Sequence, residues 1–557
     1  MKRKTVLSVV FAVCSVAACA QTATFKQFSY AGNDARFNKQ IDKDKEYFSL
    51  ILPGFYPDPS ICRVGDTYYL VNSSFSFFPG VPLFTSKDLI HWKQQGHVLD
   101  RPSQLPLTRQ RVSGGIYAPA ISYNPKNKTF YMITTNVGAG NFFVKSKDPS
   151  KGWSEPIYLH KIDGIDPSFF FDKNGEGYIV HNAPVVGGAD YEGQRAIRIF
   201  KFDVKGDSIV GGYKQIVRGG THVEERPIWI EGPHLFRVGN YYYLMCAEGG
   251  TGAWHSEVIF RAKNPMGPWE ECPDNPILTQ RTGLDAKRPD IVTSTGHADL
   301  VQDKSGGWWA VFLGCRPYEA DFYNTGRDTY LLPVTWKNGW PEILEKGKAM
   351  PAVLPKTKWQ QQISSEKIAP TTGNFSFTDD FKAAKLHQRW MFLRNPSDFY
   401  TLTSEGLKIT PKNTNISQEE SPSAVFTRQH HTTFTAETTL SFMPTDSKQL
   451  AGMVLLQNET YNFVFGKALR NGKPVVLLRR AEQSEITVAS AELTEKEAQK
   501  PLRLKIEGNG RYYSFYYATE GESWHVLTQG VDAVNLSTHQ SGGFIGACIG
   551  LYATRNN

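Results

Sequence analysis

Apolar and polar positions alternate along most of this chain with a period near two, and almost nowhere with the 3.6-residue period of a helix. Five stretches share one outline: a short opening motif, an apolar residue, a turn, then an aromatic position that leads into a second strand. They are Asp58-Pro59-Ser60-Ile61 with Tyr68-Tyr69, Ala118-Pro119-Ala120-Ile121 with Phe130-Tyr131, and Asp166-Pro167-Ser168-Phe169 with Tyr178. Gly232-Pro233-His234-Leu235 with Tyr242-Tyr243, and His297-Ala298-Asp299-Leu300 with Trp308-Trp309, complete the set. From the apolar residue to the last aromatic the spacing is 8, 10, 9, 8 and 9, the span of a β-hairpin with a short turn. Turn-forming residues occupy the middle of each, as in Lys173-Asn174-Gly175 and Val238-Gly239-Asn240.

The opening motifs follow one another at 60, 48, 66 and 65 residues, about the length of a four-stranded blade with its loops. The pattern predicts a five-bladed β-propeller over residues 50–349. An ordinary β-sandwich with coincidental hairpins is the competing arrangement. After an irregular stretch at 350–374, read as a linker, alternation returns in segments such as Ala451–Leu456 and Tyr512–Tyr517. The second half, 375–557, therefore reads as an all-β sandwich. Residues 21–49 form an N-terminal segment with no assigned partner.

The first twenty residues break the pattern. Lys2, Arg3 and Lys4 precede the apolar run Val6–Ala18, too short to span a bilayer, and Ala18-Cys19-Ala20 suits a secretory signal peptidase. Val16-Ala17-Ala18-Cys19 also fits a lipoprotein signal with Cys19 as the lipidated residue. Both readings place the protein outside a bacterial cytoplasm, in the periplasm or anchored to a membrane. No later segment has the roughly 18 unbroken apolar residues of a transmembrane helix.

At 557 residues the chain exceeds a single core, in agreement with two domains. Hydrophobic residues at 40% and charged residues at 21% exclude a disordered chain. The net charge of +8 comes without any run of five basic residues, so no nucleic-acid stripe is present. Five scattered cysteines after the signal, without a C-x-x-C pair, argue against a disulfide framework or zinc site.

In a propeller the innermost strands run beside the central axis, so equivalent opening positions converge. Those positions hold Asp58, Ala118, Asp166, Gly232 and His297, with Glu231 one step before Gly232. Three carboxylates on one axis are costly to desolvate without a purpose. Cleaving a glycosidic bond needs one carboxylic acid for the leaving oxygen and one carboxylate on the opposite face. Asp166 would raise the pKa of Glu231 by like-charge proximity.

The stretches Gly54–Ser60, Ile165–Phe169 and Glu231–His234 resemble the three catalytic blocks of glycoside hydrolase family 43, the inverting β-xylosidases and α-L-arabinofuranosidases. Ser74–Val81, Gly114–Pro119, Gly296–Leu300 and Gly326–Thr329 agree with that family. The resemblance implies Asp58 as general base, Glu231 as general acid and Asp166 as modulator of the acid. It implies that Arg327 binds sugar hydroxyls, that Phe75 and Tyr117 wall the sugar pocket, and that His297 lines the axis. At that histidine the resemblance allows a structural calcium ion or a water cluster; no cofactor is required for the reaction.

Phe377–Phe381 and Trp390–Asn395 resemble the concanavalin-like domain of the xylosidase branch, in which a loop aromatic closes the active site. Here that residue is Phe544. The branch usually continues past the equivalent of Leu551–Thr554 into a final aromatic strand, so the sandwich's edge and the placement of Phe544 stay open. Plant hemicellulose oligosaccharides are the implied partner. The terminal sugar, arabinofuranose or xylose, and the parent polymer (arabinoxylan, xyloglucan or arabinan) stay open, as does oligomeric state. A non-catalytic carbohydrate-binding propeller and an endo-acting arabinanase are the alternatives. A peptidase is disfavoured, because neither Gly-x-Ser-x-Gly nor His-Glu-x-x-His occurs.

Overall fold

The computed structural model describes residues 22–363 and 368–557. The export-signal and Cys19 readings fall outside them. Five antiparallel sheets follow one another from Ser60 to Glu342, and each starts at one of the five opening motifs. Their innermost strands are Ser60–Val64, Ile116–Asn124, Ile165–Phe171, Glu231–Val238 and Thr293–Gln302. In each, the predicted hairpin holds in register: Ile61 sits opposite Leu70, Ile121 opposite Met132, and Leu235 opposite Leu244. Phe169 pairs with Ile179 and Leu300 with Ala310 in the third and fifth blades. The architecture is the five-bladed propeller, not the alternative sandwich.

The opening position has one backbone conformation in all five blades. Asp58, Ala118, Asp166, Gly232 and His297 have φ of 52°, 37°, 54°, 53° and 51°. In the last four blades the strand register shifts around this point, so the residue occupies a β-bulge that turns its side chain toward the axis. A proline follows it in the first four motifs, where a missing N–H costs nothing because the bulge breaks the ladder. Asp and His are among the residue types that best tolerate the left-handed region, and glycine enters it freely. At Gly232 a Cβ would also lie 2.8 Å from the His297 ring.

Segments flanking the blades are structural. Leu50–Leu52 pairs with Arg327–Lys337 and so closes the ring against the last blade. Glu46–Phe48 pairs with Val353–Pro355, which makes part of the predicted linker a strand. Further back, Ala23–Gly32 is no free segment. It is an interior strand of the sandwich, flanked by Gly406–Ile409 and Thr433–Ser441. From Ala23 the chain thus runs first through the C-terminal sandwich, then crosses to the propeller and returns.

The sandwich packs that eight-stranded sheet on a six-stranded one ordered Ala424–Arg428, Cys548–Thr554, Leu450–Asn458, Tyr461–Arg470, Lys473–Glu482 and Ser484–Glu492. Phe25, Phe28, Met453, Phe465 and Phe515 share its buried core. Cys548–Thr554 is the second strand of its sheet, bonded on both sides, because Ala424–Arg428 covers it. Cys246, Cys272, Cys315 and Cys548 are buried free thiols, and Cys62 is half-buried.

The domains meet through a buried ionic knot. Arg316 donates to Asp328 (2.8 and 2.9 Å), to Asp34 (2.8 Å) and to the His430 carbonyl (2.8 Å). Asp328 also accepts from the Gly54 N–H at 2.7 Å. Charges buried this way are tolerated because each is paired; removing one partner typically costs about 3–5 kcal/mol. Next to the knot, Gly326 and Gly546 touch backbone to backbone, and a Cβ on Gly326 would stand 2.6 Å from the Gly546 nitrogen. The Ala547 N–H donates to the Asn324 carbonyl at 2.7 Å. This close approach sets the loop bearing Phe544 against the loop bearing Arg327.

Candidate active site

A cavity of about 630 Å³ opens on the propeller axis, lined by residues from all five blades and by Phe544 from the sandwich. Every site residue predicted from the sequence reaches it: Asp58, Asp166, Glu231, Arg327, Phe75, Tyr117, His297 and Phe544. The three carboxylates are each under a tenth exposed.

Asp58 is held from two sides. Arg327 Nη1 donates to its Oδ1 at 2.8 Å and Ser73 Oγ to its Oδ2 at 2.5 Å. Ser73 is itself fixed, since its hydroxyl accepts from the Ala118 N–H at 2.7 Å. His297 Nδ1 lies 3.6 Å from Asp58 Oδ1. Burial pushes the Asp58 carboxyl up, but Arg327, His297 and Ser73 outweigh it and hold the group below its ordinary value. Burial also pushes His297 down to about 4, so at neutral pH the charge that keeps Asp58 ionised is Arg327.

Glu231 has the opposite surroundings. Burial, then the charge of Asp166, then that of Asp58 raise its carboxyl well above the ordinary range. Asp166 is pushed up to about 7 by burial and by Asp58, against the pull of the Gly232 N–H that donates to its Oδ2 at 3.1 Å. Asp166 and Glu231 are therefore both pushed toward their protonated forms, while Asp58 is held toward its charged form.

Phe75, Tyr117 and Phe544 form one aromatic wall. Phe75 and Phe544 stack at 6.3 Å between centroids, and Tyr117 meets both edge-on at 5.7 and 5.5 Å. The Arg327 guanidinium carbon lies 5.9 Å from the Phe75 ring centroid and 5.7 Å from that of Phe544. Ser113 ties the wall together: its Oγ accepts from the Phe544 N–H at 2.9 Å and its carbonyl from the Tyr117 hydroxyl at 2.7 Å. Phe544 is half-buried at the cavity edge, on a loop of the second domain.

The surroundings of His297 do not suit a protein-coordinated calcium ion, which takes six to eight oxygen ligands. Both oxygens of the neighbouring Asp58 are bonded to Arg327 and Ser73. Among the described residues no three His, Cys, Asp or Glu side chains are grouped to hold a metal.

Several lining or supporting residues carry no motif. Ser73 belongs to the polar run Asn72-Ser73-Ser74 at the end of a strand, and the burial of that run is its only signal. Ile228, Trp229 and Gly249–Gly252 line the cavity as well. Trp229 stands two residues before Glu231, where the alternation pattern gives no hint of its direction.

Three buried carboxyls in one cavity on a propeller axis, one bonded to a guanidinium and the others raised by burial, beside an aromatic wall, are what a glycoside hydrolase needs. Residues 47–341 match the family model for glycosyl hydrolases family 43, and 378–557 match that of the beta xylosidase C-terminal concanavalin A-like domain. The protein belongs to glycosyl hydrolases family 43. It is 37% identical to a xylosidase/arabinosidase of Butyrivibrio fibrisolvens, across 91% of this chain and 95% of that one. It is 35% identical to a non-reducing end alpha-L-arabinofuranosidase of Bacteroides ovatus, across 92% of each. A solved family 43 structure retrieved from a capybara gut metagenome superposes with a TM-score of 0.88 at 43% identity, covering 96% of this chain and all of that one.

Proposed function

We propose that this glycosidase removes terminal non-reducing pentoses, α-L-arabinofuranosyl, β-D-xylosyl or both, from hemicellulose-derived oligosaccharides with inversion at the anomeric carbon. Asp58 takes a proton from the attacking water and Glu231 gives one to the leaving oxygen. The observation that carries this reading is that the two carboxyls in one cavity are pushed in opposite directions: Arg327 and Ser73 bond to Asp58 and hold it below its ordinary value, while burial and Asp166 raise Glu231 well above its own. Asp166 supplies part of the field that keeps Glu231 protonated. Arg327 orients Asp58 and offers its remaining donors to sugar hydroxyls. Both proton transfers are supplied by side chains, so no step is assigned to a cofactor. The aromatic wall of Phe75, Tyr117 and Phe544 supports exo action, since it closes one side of the cavity. The basic start and apolar run at the N-terminus support export, with periplasmic action on oligosaccharides.

The test is turnover of aryl α-L-arabinofuranoside and aryl β-D-xyloside, with the anomer released first identified by proton NMR. Hydrolysis of at least one with an inverted first product is the expected result, and the ratio of the two kcat/KM values names the preferred sugar. A retained anomer, or no turnover of either, overturns the reading.

A further inference from the structure

The cavity lining also carries a residue that the reaction as described leaves unused. Trp229 lines the cavity, is 39% exposed, and has φ of 51°. For a bulky side chain that conformation is an outlier costing about 1–3 kcal/mol, and such strain persists only where the surroundings impose it.

They do so here at four consecutive residues. The Pro227 carbonyl accepts from the Tyr191 hydroxyl at 2.7 Å, and the Ile228 carbonyl from the Gly249 N–H at 2.8 Å. The Trp229 N–H donates to the Gly193 carbonyl at 2.8 Å, and the Ile230 carbonyl accepts from Asn182 Nδ2 at 2.6 Å. Arg195 lies with its guanidinium carbon 5.2 Å from the indole centroid and is itself fixed to Asn182 Oδ1 at 2.7 and 3.1 Å. A large apolar ring is thus strained, clamped and backed by a cation, with much of its surface still open to the cavity. A rigid platform of this kind binds with little loss of side-chain freedom.

Its place on the chain says which part of a substrate it meets. The acid must sit beside the bond to the leaving oxygen, and Glu231 follows Trp229 by two residues. Asp58, Arg327 and the aromatic wall form one contiguous cluster, and on the glycosidase reading the anomeric carbon is attacked there. The group next to Glu231 and outward from it is the leaving sugar.

We propose that Trp229 is the leaving-group platform, its indole stacking on the sugar ring beyond the scissile bond, so that it favours oligosaccharides over small leaving groups. The assignment rests on the glycosidase reading above. A sugar's C–H face suits an aromatic plane, and contacts of this kind are worth about tenfold in binding.

The test compares kcat/KM of the full-length protein on xylotriose and on β-D-xylosyl fluoride, or on the arabinofuranosyl counterparts if wild type prefers them. The fluoride places nothing beyond the scissile bond. In Trp229→Ala the trisaccharide-to-fluoride ratio falls about tenfold, and Trp229→Phe restores most of it, with thermal melting as the check on folding. A ratio equal to that of wild type, whatever the absolute rates, overturns the proposal and leaves Trp229 a structural residue. Wild-type protein that cleaves neither compound refutes the glycosidase reading itself, before any variant is made.

Discussion

Asp58 and Glu231 line the same cavity and are both hidden from solvent, yet their surroundings push their carboxyls in opposite directions. Around Asp58 the nearest groups are donors: the Arg327 guanidinium and the Ser73 hydroxyl. On Glu231 the larger charge effects are those of like charges, Asp166 first and Asp58 second, which Arg327 and Arg195 offset only in part. Burial acts in one direction on both carboxyls, so burial alone cannot separate them. The separation comes from where the fold places one arginine and one extra aspartate. Both placements depend on the five-fold repeat, which gives Asp58 and Asp166 the same left-handed backbone conformation at the opening position of two different blades.

The largest break in this contrast comes from removing either member. Glu231→Gln and Asp58→Asn each lose a proton-transfer group, and kcat on oligosaccharide falls about 10²–10⁴-fold in each. With an aryl glycoside whose leaving group needs little protonation, Glu231→Gln loses much less than Asp58→Asn. Equal losses on both substrates would contradict the division of roles.

A smaller effect should follow from stripping the Asp58 side of its cation. Arg327→Met removes a charge-assisted bond and lowers kcat/KM about 10–100-fold. The sign of the accompanying pH shift is fixed. Arg327 holds the Asp58 pKa down, so without it the pKa rises, and the acid limb of the kcat/KM profile moves to higher pH. An acid limb that stays in place would show that Arg327 serves the sugar alone.

The mildest change sharpens the Glu231 side. Asp166→Asn removes the like charge that helps keep Glu231 protonated, so the pKa of Glu231 falls and the basic limb moves to lower pH. The acid limb shifts little, because Asp58 is governed by Arg327. Burial still raises Glu231 in this variant, so the basic limb does not drop to that of an exposed carboxylate.

Much of this site was legible in the sequence because the repeat is local. Each hairpin joins residues some ten positions apart, so Ile61 with Tyr69 or Leu300 with Trp309 marks a blade without knowledge of the rest. Position equivalence then identified Asp58, Asp166 and the step next to Glu231. What escaped was long-range. Ala23–Gly32 alternates as a strand should, but Phe28 pairs with Thr438, about four hundred residues on, and no local pattern names that partner. The interior place of Cys548–Thr554 depends likewise on Ala424–Arg428, far upstream. Ser73 and Trp229 act through direction alone, one toward Asp58 and one toward the cavity, and direction is set by turns that alternation does not encode. Phe544 was legible through resemblance; the Gly326–Gly546 contact that positions it came only with the fold.

The central claim is that Glu231 carries a proton at neutral pH while Asp58 does not. Its most direct test is a carbon-13 NMR titration of protein labelled at the glutamate side-chain carboxyls, wild type against Glu231→Gln. The account predicts one carboxyl signal that is still protonated at pH 7 and is missing from the variant. If the signal lost in the variant instead titrates near the ordinary glutamate value, about 4.3, the acid assignment is wrong.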